Sequence, residues 1–170
     1  MHGSFESLDL STSFRAAMRR IAATVTIVTA DDGERYHGMT ATAVTSLSME
    51  PPSLLVCVNQ KAFLHDMLLR AANFCVNVLH QDHAELSAAF SGAVPHEKRF
   101  DVGTWVRSAE GLHYLADAQA VLFCRKAKAI PYGTHTVFFG EVTHVEVREL
   151  VAPLVYQNAG YCVTTPAAYR

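Results

Sequence analysis

The chain lacks the short signatures that most often betray an enzyme: Gly-x-Gly-x-x-Gly, Gly-x-x-x-x-Gly-Lys-Ser/Thr, Gly-x-Ser-x-Gly and His-Glu-x-x-His are all absent. Their absence disfavours a Rossmann cofactor turn, a P-loop, a hydrolase nucleophile elbow and a zincin. Charge of one sign is also lacking. With 14 Lys+Arg against 16 Asp+Glu, the formal net charge is −2, so the sequence-wide basic excess that marks binding to nucleic acid or an anionic membrane is missing. Neither partner is expected. No run of about 18 apolar residues is present to span a membrane, and the opening MHGSFESLDL lacks the basic-then-apolar pattern of a secretion signal. Paired cysteines are missing too: Cys57, Cys75, Cys124 and Cys162 lie far apart, each in an apolar run, with no Cys-x-x-Cys. They read as buried free thiols, and the expected location is the cytoplasm.

What is present is a chain of 170 residues, 50% hydrophobic, long enough for one sizeable core and too short for two ordinary ones. Residues 1–170 are read as a single domain, with about 1–12 as an N-terminal arm. Ser11 or Ser13 can cap a short helix with Phe14, Met18 and Ile21 on one face, expected to cover one end of the core. TVTIVTA (24–30), the turn at Asp31, Asp32 and Gly33, and RYHGMTATAVTSLS (35–48) predict a hairpin. LLVCVN (54–59) suits a strand buried on both faces, and residues 62–71 a helix. NFCVNVL (73–79) is a further strand, a second helix covers roughly 82–90, and a long loop over 92–103 carries His96, Glu97, Lys98 and Arg99 before Phe100. Two long strands, 118–130 and 136–147, and a short tail strand at 161–164 complete the reading. Many antiparallel strands and few short helices predict a mainly β protein, a closed barrel rather than a doubly wound sheet.

Residues 38–48 are the most informative. Thr40, Thr42, Thr45, Ser46 and Ser48 offer hydroxyls, while Ala41 and Ala43 leave room for a flat ring. A planar heterocycle with a phosphate fits such a segment; so does an ordinary Thr-rich sheet surface. His80 and His83, three apart with Asp82 between them, have no matching third ligand, and no metal site is read there. His37 and His65 read as hydrogen-bonded structural histidines, Trp105 as a core or interface anchor, and Phe63 as core at helical spacing with Met67. Asn77 is read equally as a ligand contact or a partner for a neighbouring strand.

GMTATAVTSLSMEPPSLLVCVN (38–59), NFCVNVL (73–79), KRF (98–100) and GTH (133–135), in this order and with a helix between the first two, resemble the flavin reductase-like family, the short-chain reductase components of two-component flavin monooxygenases. The likeness spans about residues 14–161. It implies a split β-barrel of the FMN-binding type, a homodimer with flavin sites near the subunit interface, and hydride transfer from NADH or NADPH to FMN or FAD. Reduced flavin would then pass, by diffusion, to a partner monooxygenase. Carried over residue by residue, the resemblance places the isoalloxazine ring against Thr40, Ala41 and Thr42, beside Cys57, Val58 and Asn59. Its phosphate falls to Thr45, Ser46, Lys98 and Arg99, with Phe100 alongside, and His135 matches a histidine associated with nicotinamide.

Those roles agree with the residue types: cations and hydroxyls suit a phosphate. Hydride transfer between two cofactors needs positioning and exclusion of water rather than a catalytic acid or base, and no catalytic side chain is expected. Two positions depart from the family pattern. Its Gly-Asp-His is Gly133-Thr134-His135 here, and its C-terminal tyrosine, glycine and arginine cluster, at residues 153–161, lacks the basic residue while keeping Tyr156 and Tyr161. Two other functions stay open on sequence alone: a split-barrel flavoprotein that keeps FMN tightly bound and acts on another substrate, and a flavin-binding protein with no activity.

Overall fold

Alternating β-branched segments become strands here because each can bury one face while its backbone pairs sideways. The computed structural model describes residues 9–168. In chain order the elements are α1 (Leu10–Met18), β1 (Ala23–Thr24), β2 (Thr26–Asp31), β3 (Tyr36–Ala41), β4 (Val44–Met49), β5 (Pro52–Asn59), α2 (Phe63–Arg70), β6 (Asn73–Val78) and α3 (Ala84–Ala88). A π-helical turn (Ala89–Ala93) and a 3-10 helix (His96–Asp101) follow, then β7 (Trp105–Arg107), β8 (His113–Leu115), β9 (Ala120–Tyr132), β10 (His135–Val147), β11 (Val155–Gln157) and β12 (Gly160–Cys162).

Seven strands form one sheet in the order β3-β2-β6-β9-β10-β5-β4, every pairing antiparallel. The protein is mainly β, as expected. The closed barrel is not observed: among the described residues no sheet closes, and β3 and β4 stand at opposite edges of this one. They are nevertheless joined by Thr42 and Ala43 alone, a link that spans at most about 11 Å, so the sheet must curl until its edges approach at that end. The single strand predicted over 35–48 is therefore two. It breaks because residues 42 and 43 leave the β2 ladder, where the Ala43 carbonyl accepts instead from the Cys57 N–H at 3.0 Å.

The core has two parts. Val56, Val58, Phe74 and Phe138 pack under the α2 residues Leu64, Met67 and Leu68; Leu79, Leu86, Phe90, Leu115 and Leu154 form the second cluster. Burying each such side chain contributes about 1.5–3 kcal/mol. β5 alternates instead of being buried on both faces: Leu54, Val56 and Val58 point inward, while Leu55 and Cys57 are half-buried.

Several expectations need correction. The α1 cap is Asp9, whose carboxylate accepts from the backbone N–H groups of Ser11 and Thr12; bonds from the Ser11 and Thr12 side chains help to hold its pKa at about 2. Residues 1–8 of the expected arm lie outside the described residues, and 10–12 already belong to α1. That helix does not cover the core, for none of its residues is buried and Phe14 is 63% exposed. Half of the loop expected over 92–103 is the 3-10 helix, the β7–β8 hairpin was unforeseen, and the tail strand β12 pairs with β11. No helix among the described residues is long and apolar enough to cross a membrane.

Candidate active site

Thr40 and Ala41 end β3 and, with Thr42 just beyond it, line a cleft of about 450 Å³, facing Ser87, Ala88, Ser91 and the rings of Tyr156 and Tyr161. The walls are bonded to one another. The Thr40 hydroxyl donates to the Ser87 carbonyl at 2.7 Å, the Ser91 hydroxyl to the same carbonyl at 2.8 Å, and the Tyr161 hydroxyl to Ser87 Oγ at 2.9 Å. Tyr156 and Tyr161 meet edge to face at 5.6 Å, held by the β11–β12 pairing that sets them directly opposite. Small side chains from the α3 region and two tyrosines from the C-terminal hairpin thus leave a slot whose shape and hydroxyls suit a flat heterocycle.

Cys57, Val58 and Asn59 lie at the end of β5, reached from Ala43 through the Cys57 N–H. Val58 is fully buried, backbone included. Asn59 stands opposite His135 in the β5–β10 ladder. His135 is exposed, and its Nδ1 shares a 2.9 Å hydrogen bond with the Thr134 hydroxyl. The threonine that replaces the family's aspartate therefore still reaches the imidazole.

Lys98 is exposed on the 3-10 helix. Arg99 turns inward, its guanidinium donating to the carbonyls of Gly38 at 3.1 Å and Val94 at 3.3 Å. It thereby ties this helix to β3 two residues before Thr40. Beside it His37 is 3% exposed, and burial, with the charges of Arg99 and His96, holds its pKa down at about 4. Phe100 packs edge to face on Tyr36 and Trp105, each at 4.9 Å, and on Phe90 at 5.2 Å. Gly38 is required there, since a Cβ would lie 2.6 Å from the Phe90 ring. Thr45 and Ser46 line a separate apolar hollow of about 420 Å³ with Val76, Leu122 and Val142.

The sequence profile described as the flavin reductase like domain matches residues 18–165. The chain belongs to this flavin reductase-like family. It is 55% identical over 157 residues, 91% of this chain and 88% of the other, to the reductase component of an FADH(2)-dependent resorcinol hydroxylase from Rhizobium sp. strain MTP-10005. It is 39% identical over 148 residues, 87% of this chain and 82% of the other, to the FMN reductase (NADH) RutF of Variovorax paradoxus strain S110. Among solved structures, the NADH:FAD oxidoreductase SgcE6 of Streptomyces globisporus C-1027 superposes with a TM-score of 0.87 at 28% identity, covering 99% of this chain and 97% of that one.

In this flavin reductase-like chain other histidines and the lone tryptophan have structural work. His65 Nε2 shares a 2.9 Å bond with the Thr136 hydroxyl. His83 Nδ1 accepts from the His80 N–H at 3.1 Å, and its Nε2 lies 3.2 Å from an Asp117 carboxylate oxygen. Trp105 donates to the Val102 carbonyl at 2.8 Å. Asn77 is fully buried, donating to the Ile27 carbonyl at 3.0 Å and accepting from the Leu115 N–H at 2.8 Å. Phe63 is not core: it is 49% exposed and stacks on His96 at 4.8 Å. Sequence reasoning missed Ser87 and left Tyr156 and Tyr161 undecided. Ser87 carries no local signal, because the two partners that tie it to β3 and to the C-terminal hairpin lie 47 and 74 positions away.

Proposed function

We propose that this protein is the reductase component of a two-component flavin monooxygenase system, oxidising NADH to reduce FAD or FMN and releasing the reduced flavin to a partner hydroxylase. The carrying observation is 55% identity, over nine-tenths of the chain, to the reductase component of an FADH(2)-dependent hydroxylase. The donor set agrees: a slot of alanines, hydroxyls and tyrosine rings, with no acid–base pair within it.

In this reading Thr40, Ala41 and Thr42 hold the ring, with Cys57 and Asn59 beside it and the buried Val58 between them in β5. Thr45, Ser46 and Lys98 receive the first phosphate. Arg99 and Phe100 act mainly by fixing the Gly38 segment, and His135, oriented by Thr134, meets the nicotinamide dinucleotide. The bound flavin supplies the hydride acceptor, so the side chains need only orient the two ligands and keep water out. The curled sheet is the split barrel of this family type, folded as one domain. Leu10, 85% exposed, and Met49, 82% exposed, belong to apolar surface that a second copy would cover in a homodimer. The four free thiols suit the reducing cytoplasm.

The test is NADH oxidation followed by absorbance, with FAD or FMN added in excess over protein. Sustained turnover is expected. A yellow protein that consumes no more NADH than one equivalent of bound flavin would favour a tightly bound flavoprotein, and a protein that neither binds flavin nor oxidises NADH would overturn the reading.

A further inference from the structure

The slot beside Thr42 does not end at the Tyr156 ring. A second hollow of about 340 Å³ shares Thr42 and Tyr156 with it and is lined on its far side by Arg15, Arg19 and Met18 of the α1 region, with Asn158 from the C-terminal hairpin. The two hollows differ in chemistry. The first is lined by hydroxyls, alanines and tyrosines, with no cationic residue among its described lining; the second is lined by two arginines.

The arginines are four residues apart, so they project from one face of the helix. That face is fixed although the helix buries nothing, because its end is pinned by the hairpin. The Asn158 N–H donates to the Arg19 carbonyl at 3.1 Å, and the Gln157 side-chain amide to the Arg20 carbonyl at 3.2 Å. Asn158 and Ala159 both take positive φ, 50° and 64°, in the tight turn that aims these donors at α1. Among the described residues the arginines paired with carboxylates are Arg70, Arg107 and Arg125, so Arg15 and Arg19 keep their donors for another anion. A guanidinium offers paired N–H groups in a fork that matches phosphate oxygens.

We propose that Arg15 and Arg19 bind the adenylate phosphate of a dinucleotide whose ring lies in the neighbouring tyrosine slot or against it. This rests on the reductase reading above. Two ligands of that reading carry an adenylate half, FAD and NADH, whereas FMN carries none, and the arms of the test separate them.

Arg15→Gln/Arg19→Gln is compared with wild type by equilibrium titration of FMN and of FAD, and by the KM for NADH with FMN as acceptor. Loss of charge-assisted contacts predicts about tenfold or greater weakening for the adenylate-bearing ligand, with FMN affinity kept within about twofold. A selective loss for FAD assigns the subsite to the flavin. A raised KM for NADH, with both flavin affinities kept, assigns it to the nicotinamide dinucleotide. Arg15→Lys/Arg19→Lys should recover part of the effect, and Arg20→Gln, whose side chain lies beyond α1 and folds back to bond the Ala16 carbonyl, should show none. Constants unchanged throughout, or an equal loss for FMN and FAD, would overturn the proposal. The titrations need no turnover: a wild type that binds flavin without oxidising NADH refutes the reductase reading and leaves the arginines decidable, while a wild type that binds no flavin refutes both.

Discussion

Tyr161 donates its hydroxyl to the Ser87 hydroxyl at 2.9 Å, which ties the C-terminal hairpin to α3 beside the cleft at the end of β3. Ser87 is fully buried, and its carbonyl already accepts from Thr40 and Ser91. One serine therefore holds three sides of the slot in register.

Tyr161→Phe removes one hydrogen bond and leaves the ring in place. A loss of about 0.5–1.5 kcal/mol in stability is expected, together with a several-fold rise in the flavin dissociation constant as the hairpin loosens. A melting curve and a flavin titration check the two effects; unchanged values for both would show that the contact does not shape the slot.

Lys98 and Arg99 should separate. The double alanine variant is expected to weaken flavin binding by roughly one to two decades while sparing turnover at saturating flavin. Lys98→Ala alone should leave the melting temperature unchanged, since the side chain is exposed. Arg99→Ala should lower it, because the carbonyls of Gly38 and Val94 lose their donor.

His135→Ala is expected to raise the KM for NADH and leave flavin affinity nearly unchanged. Thr134→Val, which removes only the hydroxyl bonded to the ring, should give a smaller rise in the same constant. Steady-state kinetics with NADH varied at saturating flavin decide this, and an unchanged KM in both variants would remove the pair from the nicotinamide site.

His37 makes the fold acid-sensitive. Its pKa is near 6.5 when unfolded and about 4 in the fold, so between those values the unfolded chain binds a proton that the folded one cannot. Stability is therefore complete above about pH 6.5 and falls as pH drops towards 4, by up to about 3 kcal/mol over the window. Urea melts of wild type and His37→Gln near neutrality and near pH 5 test it: the variant should lose much of the slope, and equal slopes would assign the effect to other groups.

The sequence determined the elements wherever its pattern was local. The apolar alternation of residues 24–30, the β-rich segments of 120–147 and the helical spacing of 62–71 marked strands and a helix, because side-chain period depends on backbone geometry and not on the partner. The order of the segments from 38 to 135 also carried the family, since it lies in the residues themselves. The tertiary structure decided what depends on contacts between distant positions. Residues 35–48 break into two strands because the ladder partners change at Thr42 and Ala43, Phe63 leaves the core because His96 offers it a ring, and Arg99 turns inward to bond Gly38. Arg15 and Arg19 come to lie beside Thr42 only because a hairpin some 140 residues further on takes hold of their helix. Pairing and docking over such distances are set by which faces bury the most surface together, a sum over the whole chain that no local window contains.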